Sequence, residues 1–182
     1  MPTAFRVAMA LCISTLFAGM GANAQSLPRE VATRAEIYPI PSLTLSDQQF
    51  LSGDAAAGKP VTVAGEFRVA QGTGKLPVVL MHGSSGVGAT TEAWVHAFNA
   101  MGISTFVIDG FTGRGLTVVG PNQALLGRLN LIVDIYRSLE ILAKHPRVDP
   151  DRIVLMGFSR GGQATLYASL DRFHKMWNKS GI

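Results

Sequence analysis

Gly157-Phe158-Ser159-Arg160-Gly161-Gly162 is the segment of this sequence best suited to chemistry. A serine flanked by glycines two residues away on each side can be carried on a sharp turn between a strand and a helix. Its hydroxyl then stands clear of the backbone as a nucleophile. Without a side chain, Gly157 and Gly161 let neighbouring backbone approach the turn closely. The apolar run Ile153–Met156 ahead of it and the helical pattern behind it supply that context. The chemistry implied is acyl transfer: Ser159 attacks a carbonyl carbon, and the oxyanion that forms needs two backbone N–H donors.

A second segment, His82-Gly83-Ser84-Ser85-Gly86, follows an earlier apolar run. The residue after the nucleophile, Arg160, offers one donor amide, and the loop after this earlier strand offers the other, assigned to Ser84. His82 could act as a base, but it is read as ordering its own loop. Arg160 could hold a substrate carboxylate or lie in solvent. Gly83 to Thr90 also spells G-x-x-x-x-G-A-T, one residue from a phosphate-binding loop. The lysine that would meet the phosphates is replaced by Ala89, which argues against nucleotide hydrolysis.

The elements that position these residues can be read from periodicity. Pro77–Met81, Ile103–Ile108 and Ile153–Met156 are short apolar runs, as buried strands are. Val61–Val69 alternates apolar and polar residues, as an antiparallel strand with one wet face does, and implies a short antiparallel hairpin ahead of the other strands. Residues 25–60 read as an extended lead-in, with Pro28, Pro39 and Pro41, in which Ser46-Asp47-Gln48-Gln49 is a capping box opening a short helix. Helices are expected over Thr91–Met101, Leu125–Lys144 and Gly161–Trp177. The second should bury Leu125, Leu129, Ile132, Tyr136, Leu139 and Ala143, and the third Leu166, Leu170, Phe173 and Trp177. Strands alternating with helices make the fold class α/β: a mostly parallel sheet flanked by helices, with any ligand at the carboxyl ends of the strands.

The two motifs and the order of elements around them resemble the dienelactone hydrolase branch of the α/β-hydrolases. The resemblance runs from about Ser42 to the end of the chain. It is carried by Leu80-Met81-His82-Gly83-Ser84, Asp109-Gly110-Phe111-Thr112-Gly113-Arg114-Gly115 and Met156–Gly162. It implies an α/β-hydrolase fold and hydrolysis of a small-molecule ester or lactone through an acyl-enzyme, without a cofactor or metal. Ser159 would be the nucleophile, and the Ser84 and Arg160 amides the oxyanion hole. The family's namesake enzymes use a cysteine where this chain has Ser159, so an ordinary ester is at least as good a candidate substrate as a dienelactone. A serine also needs a base more than a thiolate does.

In this fold the acid and the histidine of the triad follow the serine. Only 23 residues follow Ser159, with Asp171 and His174 as candidates. On one continuous helix His174 would lie roughly 22 Å along the axis, out of reach. His96 and His145 are read as structural or exposed, and Asp109 as shaping a loop. The expectation is therefore an α/β-hydrolase domain over 61–182 lacking its C-terminal strands and helices. Its strand at Met156 would be an open edge, and the chain would react poorly with serine-directed probes. The alternative is a catalytically inactive binding or vestigial module.

Arg6, the apolar run Val7–Phe17 and Ala22-Asn23-Ala24 read as a cleavable export signal over 1–24, cut after Ala24, which implies a periplasmic or secreted protein. The sole cysteine, Cys12, lies within it, so the mature chain has no disulfide or thiolate metal site. No segment is long and apolar enough for a stable membrane span. The net charge of +4 comes without a Lys/Arg cluster, which gives no support to nucleic acid as a partner. Nothing in the sequence names a protein partner.

Overall fold

The computed structural model describes residues 34–182; the expected export signal and Cys12 lie outside the described residues. Five strands form one sheet: β1 (Arg34–Thr44), β2 (Lys59–Val69), β3 (Pro77–Met81), β4 (Ser104–Asp109) and β5 (Val154–Gly157). Their order across the sheet is β1-β2-β4-β3-β5. β3 runs parallel to β4 and to β5, with Met81 opposite both Ile108 and Gly157. β2 is antiparallel to β4. β1 and β2 are the antiparallel hairpin ahead of the parallel strands, paired from Arg34–Val69 to Thr44–Lys59.

Within the segment expected as an extended lead-in, Arg34–Thr44 and the start of β2 are therefore sheet. Pro39 and Pro41 fit because β1 is an edge strand, where alternate N–H groups face away from the neighbour and their loss costs no ladder bond. The capping box opens α1 (Asp47–Ser52): the Gln49 amide donates to Ser46 Oγ, and the Ser46 amide to Gln49 Oε1.

Alternate residues of the central strands feed two apolar clusters. Val79, Met81, Phe106 and Ile108 point to the larger one, shared with α3 (Asn130–Leu142), α4 (Arg160–Ala168) and α5 (Asp171–Trp177). Val78, Leu80 and Val107 point to a smaller one under α2 (Ala89–Ala100). With both faces covered, β3 is buried at every position, which is why it reads as an unbroken apolar run. β5 is an edge strand among the described residues, as expected for the strand ending at Met156, and its Val154 is 46% exposed. No helix among the described residues is long and apolar enough to cross a membrane.

Two helices depart from expectation. α3 begins at Asn130, not Leu125. Residues 123–125 form a 3₁₀ turn capped by the Asn122 side chain, and Leu126 is extended. Leu125 is consequently exposed. Nor is α3 a one-faced helix: ten of its thirteen residues are buried, Asp134 and Ser138 among them.

The expected helix Gly161–Trp177 is two helices. Ser169 closes α4, and Leu170 is extended ahead of α5. The break has tertiary causes. The Tyr136 hydroxyl takes the Ala168 carbonyl at 2.6 Å, and Trp177 stacks on Phe50 at 5.2 Å while donating to its carbonyl. Phe173 and Trp177 are buried as expected, but Leu166 and Leu170 are exposed.

Candidate active site

The two loops that follow β3 and β5 meet at the carboxyl ends of these adjacent parallel strands. Ser159 joins β5 to α4 with φ 49° and ψ −112°, and it is the only described non-glycine residue with positive φ. A side chain held there costs of order 1–3 kcal/mol, so the surrounding structure must impose it. The glycines show how. A Cβ on Gly157 would lie 2.3 Å from the Gly161 carbonyl oxygen, and one on Gly161 would lie 2.3 Å from the Met81 oxygen and 2.4 Å from that of His82. Only bare backbone lets α4 start directly against the end of β3. The serine is lifted out as a result, and it is exposed.

Neither the Ser84 nor the Arg160 amide donates to any acceptor within the described residues. These are the two amides expected to face an oxyanion. Arg160 opens α4, so its N–H is among the unpaired donors at a helix N-terminus. Ser84 and Ser159 both line a cavity of about 350 Å³, together with Gly86, Gly88, Thr90 and Phe158. None of its lining residues is charged. A larger hollow of about 620 Å³ lies between β1 and the end of α3, but it is lined by Tyr38, Arg137, Lys144 and His145 and contains neither motif.

His82 is wholly buried and both its ring nitrogens are engaged. Nε2 accepts from the Gly110 amide at 3.0 Å, which leaves the ring proton on Nδ1 to donate to the Gly83 carbonyl at 2.7 Å. Burial holds its pKa below the ordinary histidine value, although the Gly83 hydrogen bond and the charges of Asp109 and Asp134 oppose the shift. The ring therefore ties the loop after β3 to the loop after β4 and has no free nitrogen to serve as a base, in agreement with its reading as a loop-ordering residue.

Asp109 likewise shapes its loop. Its carboxylate accepts from the Phe111 and Thr112 amides at 2.9 and 3.0 Å. Burial pushes its pKa up, but these hydrogen bonds outweigh that and hold it below the ordinary carboxylate range. Beneath the loop sits a network whose role the sequence did not indicate, although Arg114 lies in one of the segments that carry the resemblance. Arg114 pairs bidentately with Asp134 at 2.7 and 2.9 Å and spends its other donors on Gly110 O, Leu43 O and Thr44 Oγ1. Asp134 also accepts from Ser42 Oγ at 2.5 Å. All five guanidinium N–H groups are used, as a buried arginine requires.

Arg160 neither reaches into solvent nor faces the cavity. Its side chain is buried and donates to Gln123 Oε1 at 2.8 Å, to the Gln123 carbonyl at 3.3 Å and to the Leu126 carbonyl. Its charge meets no carboxylate within the described residues, and burial, then the charge of Arg128, pushes its pKa down.

The Ser159 hydroxyl has no hydrogen-bond partner among the described residues, so none of them acts on it as a base in this arrangement. Asp171 and His174 do not join it. Because the helix is broken, the straight-axis distance of 22 Å does not apply. What excludes them is where they sit: Asp171 pairs with Lys175 at 3.4 Å on an exposed face, and His174 Nε2 lies 2.8 Å from the Ile182 carbonyl and 2.7 Å from Asn178. His96 is exposed. His145 is structural, bridging Glu36 at 3.2 Å and the Arg147 amide at 3.1 Å.

The family model described as acetyl xylan esterase matches residues 99–176. No curated protein matches the chain. Among solved structures, a Klebsiella pneumoniae protein described as a dienelactone hydrolase is 15% identical with a TM-score of 0.54, covering 76% of this chain and 55% of its own. DcsB, solved with a substrate analogue, is 19% identical with a TM-score of 0.53, covering 76% of this chain and 43% of its own. An acetyl xylan esterase from Paenibacillus sp. R4 is 25% identical with a TM-score of 0.49, covering 80% and 47%. The chain thus spans about half the length of the solved structures it matches. With the strained serine between β5 and α4 and the architecture shared with DcsB and the Klebsiella pneumoniae protein, the chain has the α/β-hydrolase fold over the part it has in common with them.

Proposed function

We propose that this chain carries the nucleophile and the oxyanion hole of a serine hydrolase that cleaves a small-acyl ester or lactone. The observation that carries the reading is the backbone of Ser159, the one described side chain held at positive φ, at the end of a parallel strand. Ser159 Oγ attacks the acyl carbon, and the Ser84 and Arg160 amides receive the negative charge on the former carbonyl oxygen. Collapse breaks the bond to the leaving oxygen and leaves the acyl group on Ser159, from which water releases it. The hydroxyl proton goes to a base that is not among the described residues. The cavity beside Ser159, about 350 Å³ and without a charged lining residue, suits a short uncharged acyl group. An acetyl ester also accords with the family description matched over 99–176. The same reading includes export of the chain, with cleavage after Ala24.

The unpartnered Ser159 hydroxyl favours a second reading, a binding or vestigial module without catalysis. Hydrolysis of aryl acetate and aryl octanoate by the chain and by Ser159→Ala separates the two. Slow acetate turnover that the substitution removes, with acetate preferred over octanoate by roughly tenfold or more, supports the hydrolase. Identical rates for the two proteins contradict it.

A further inference from the structure

The two amides read as oxyanion donors sit on different loops, one after β3 and one after β5, yet a single side chain bridges their residues. Gln123 Nε2 donates to Ser84 Oγ at 2.9 Å, and Gln123 Oε1 accepts from Arg160 Nη1 at 2.8 Å. The amide orientation is fixed by chemistry, since a guanidinium has only donors to offer and must face the oxygen of Gln123. Backbone contacts from the same segment hold the ends of the bridge. The Val119 amide donates to the Ser84 carbonyl at 2.8 Å, and the Gln123 and Leu126 carbonyls accept from Arg160.

Arg160 is otherwise poorly provided for. Arg160 is 4% exposed, and among the described residues it has no carboxylate partner and its Nε has no acceptor. A buried cation in that condition is costly, and only its remaining hydrogen bonds offset the loss of water. Here those bonds run to the residue that touches Ser84.

We propose that Gln123 is a positioning residue that fixes the separation and aim of the Ser84 and Arg160 amides by clamping both side chains. This deepens the hydrolase reading and rests on it. An oxyanion hole works through donors aimed in advance at where the charge develops, so the clamp acts on the rate of acylation and not on the binding of the ground-state ester.

The experiment compares Gln123→Ala, Gln123→Met and Gln123→Glu in the full chain. Met keeps the length and volume of the side chain but makes neither hydrogen bond. Glu still accepts from Arg160 and can accept from the Ser84 hydroxyl. Two readouts are taken: the backbone amide resonances of Ser84 and Arg160 in isotopically labelled protein, and the rate of Ser159 labelling by a fluorophosphonate probe. The expected result is that Ala and Met both shift or broaden the two resonances and slow labelling roughly tenfold at unchanged probe affinity, while Glu restores both. Unchanged resonances in the Ala variant, or full restoration by Met, would overturn the clamp. Absence of labelling in the parent chain would overturn the hydrolase reading instead, and the resonances would still decide the bridge.

Discussion

Beneath the loops after β3 and β4, on the side of Ser159 where the proposal above puts the oxyanion donors, the polar groups are closely matched. His82 uses both ring nitrogens, Arg114 uses all five N–H groups, and Asp134 is shared by Arg114 and Ser42. On the other side, around β5 and the outer face of α4, Val154 is 46% and Leu166 64% exposed, and the Ser159 hydroxyl meets no partner. The backbone geometry that raises the serine and frees two amides is thus built and braced, while the side from which a proton would be taken is open. An oxyanion hole is rigid by necessity, because donors that must reorganise during the reaction lose their advantage.

The largest expected effect lies in that braced half. Asp134→Ala leaves the guanidinium of Arg114 buried without its carboxylate and should destabilise the chain by about 3–5 kcal/mol. That is a large part of the total for a domain of this size, and urea unfolding measures it. A loss below about 1 kcal/mol would mean that the network is not what braces the donor side. Gly161→Ala comes next. Its Cβ would lie 2.3 Å from the Met81 oxygen, so either α4 or the end of β3 must move, at a cost of about 1–3 kcal/mol. Urea unfolding reads this loss too, and an unchanged midpoint would show that the backbone at the end of β3 yields freely. Leu166→Ser on the open side is the contrasting case, expected to change stability by no more than about 0.5 kcal/mol. A larger loss would show that the outer face of α4 is covered in solution and would break the contrast.

The same contrast separates what the sequence made legible from what it did not. β3 could be read to the residue because Pro77–Met81 is buried on both faces, and a doubly covered strand writes an unbroken apolar run. The capping box at Ser46 and the elbow at Ser159 were equally legible, since both are demands of local backbone geometry on neighbouring residues. The division of α4 from α5 was not. Leu166, Leu170, Phe173 and Trp177 keep helical spacing through the break, and its causes, Tyr136 on the Ala168 carbonyl and Trp177 on Phe50, come from distant parts of the chain. The brace was hidden for a similar reason: Ser42 and Asp134 are 92 positions apart, and a lone Asp in a helix looks like a solvated charge. Gln123, in a turn expected to begin a helix only two residues later, had no motif around it.

The central claim is that Ser159 is a chemically distinct serine, and a fluorophosphonate probe with mapping of the modified peptide tests it most directly. The account predicts slow labelling confined to Ser159 and abolished in Ser159→Ala, because the donors are present and a base is not among the described residues. Removing triad partners from such a site leaves on the order of 10³-fold over the uncatalysed reaction, so the rate should fall well below that of an intact esterase yet remain measurable. Labelling scattered over several serines would contradict the claim that the elbow distinguishes this one, and labelling at the rate of an intact esterase would contradict the absence of a base among the described residues.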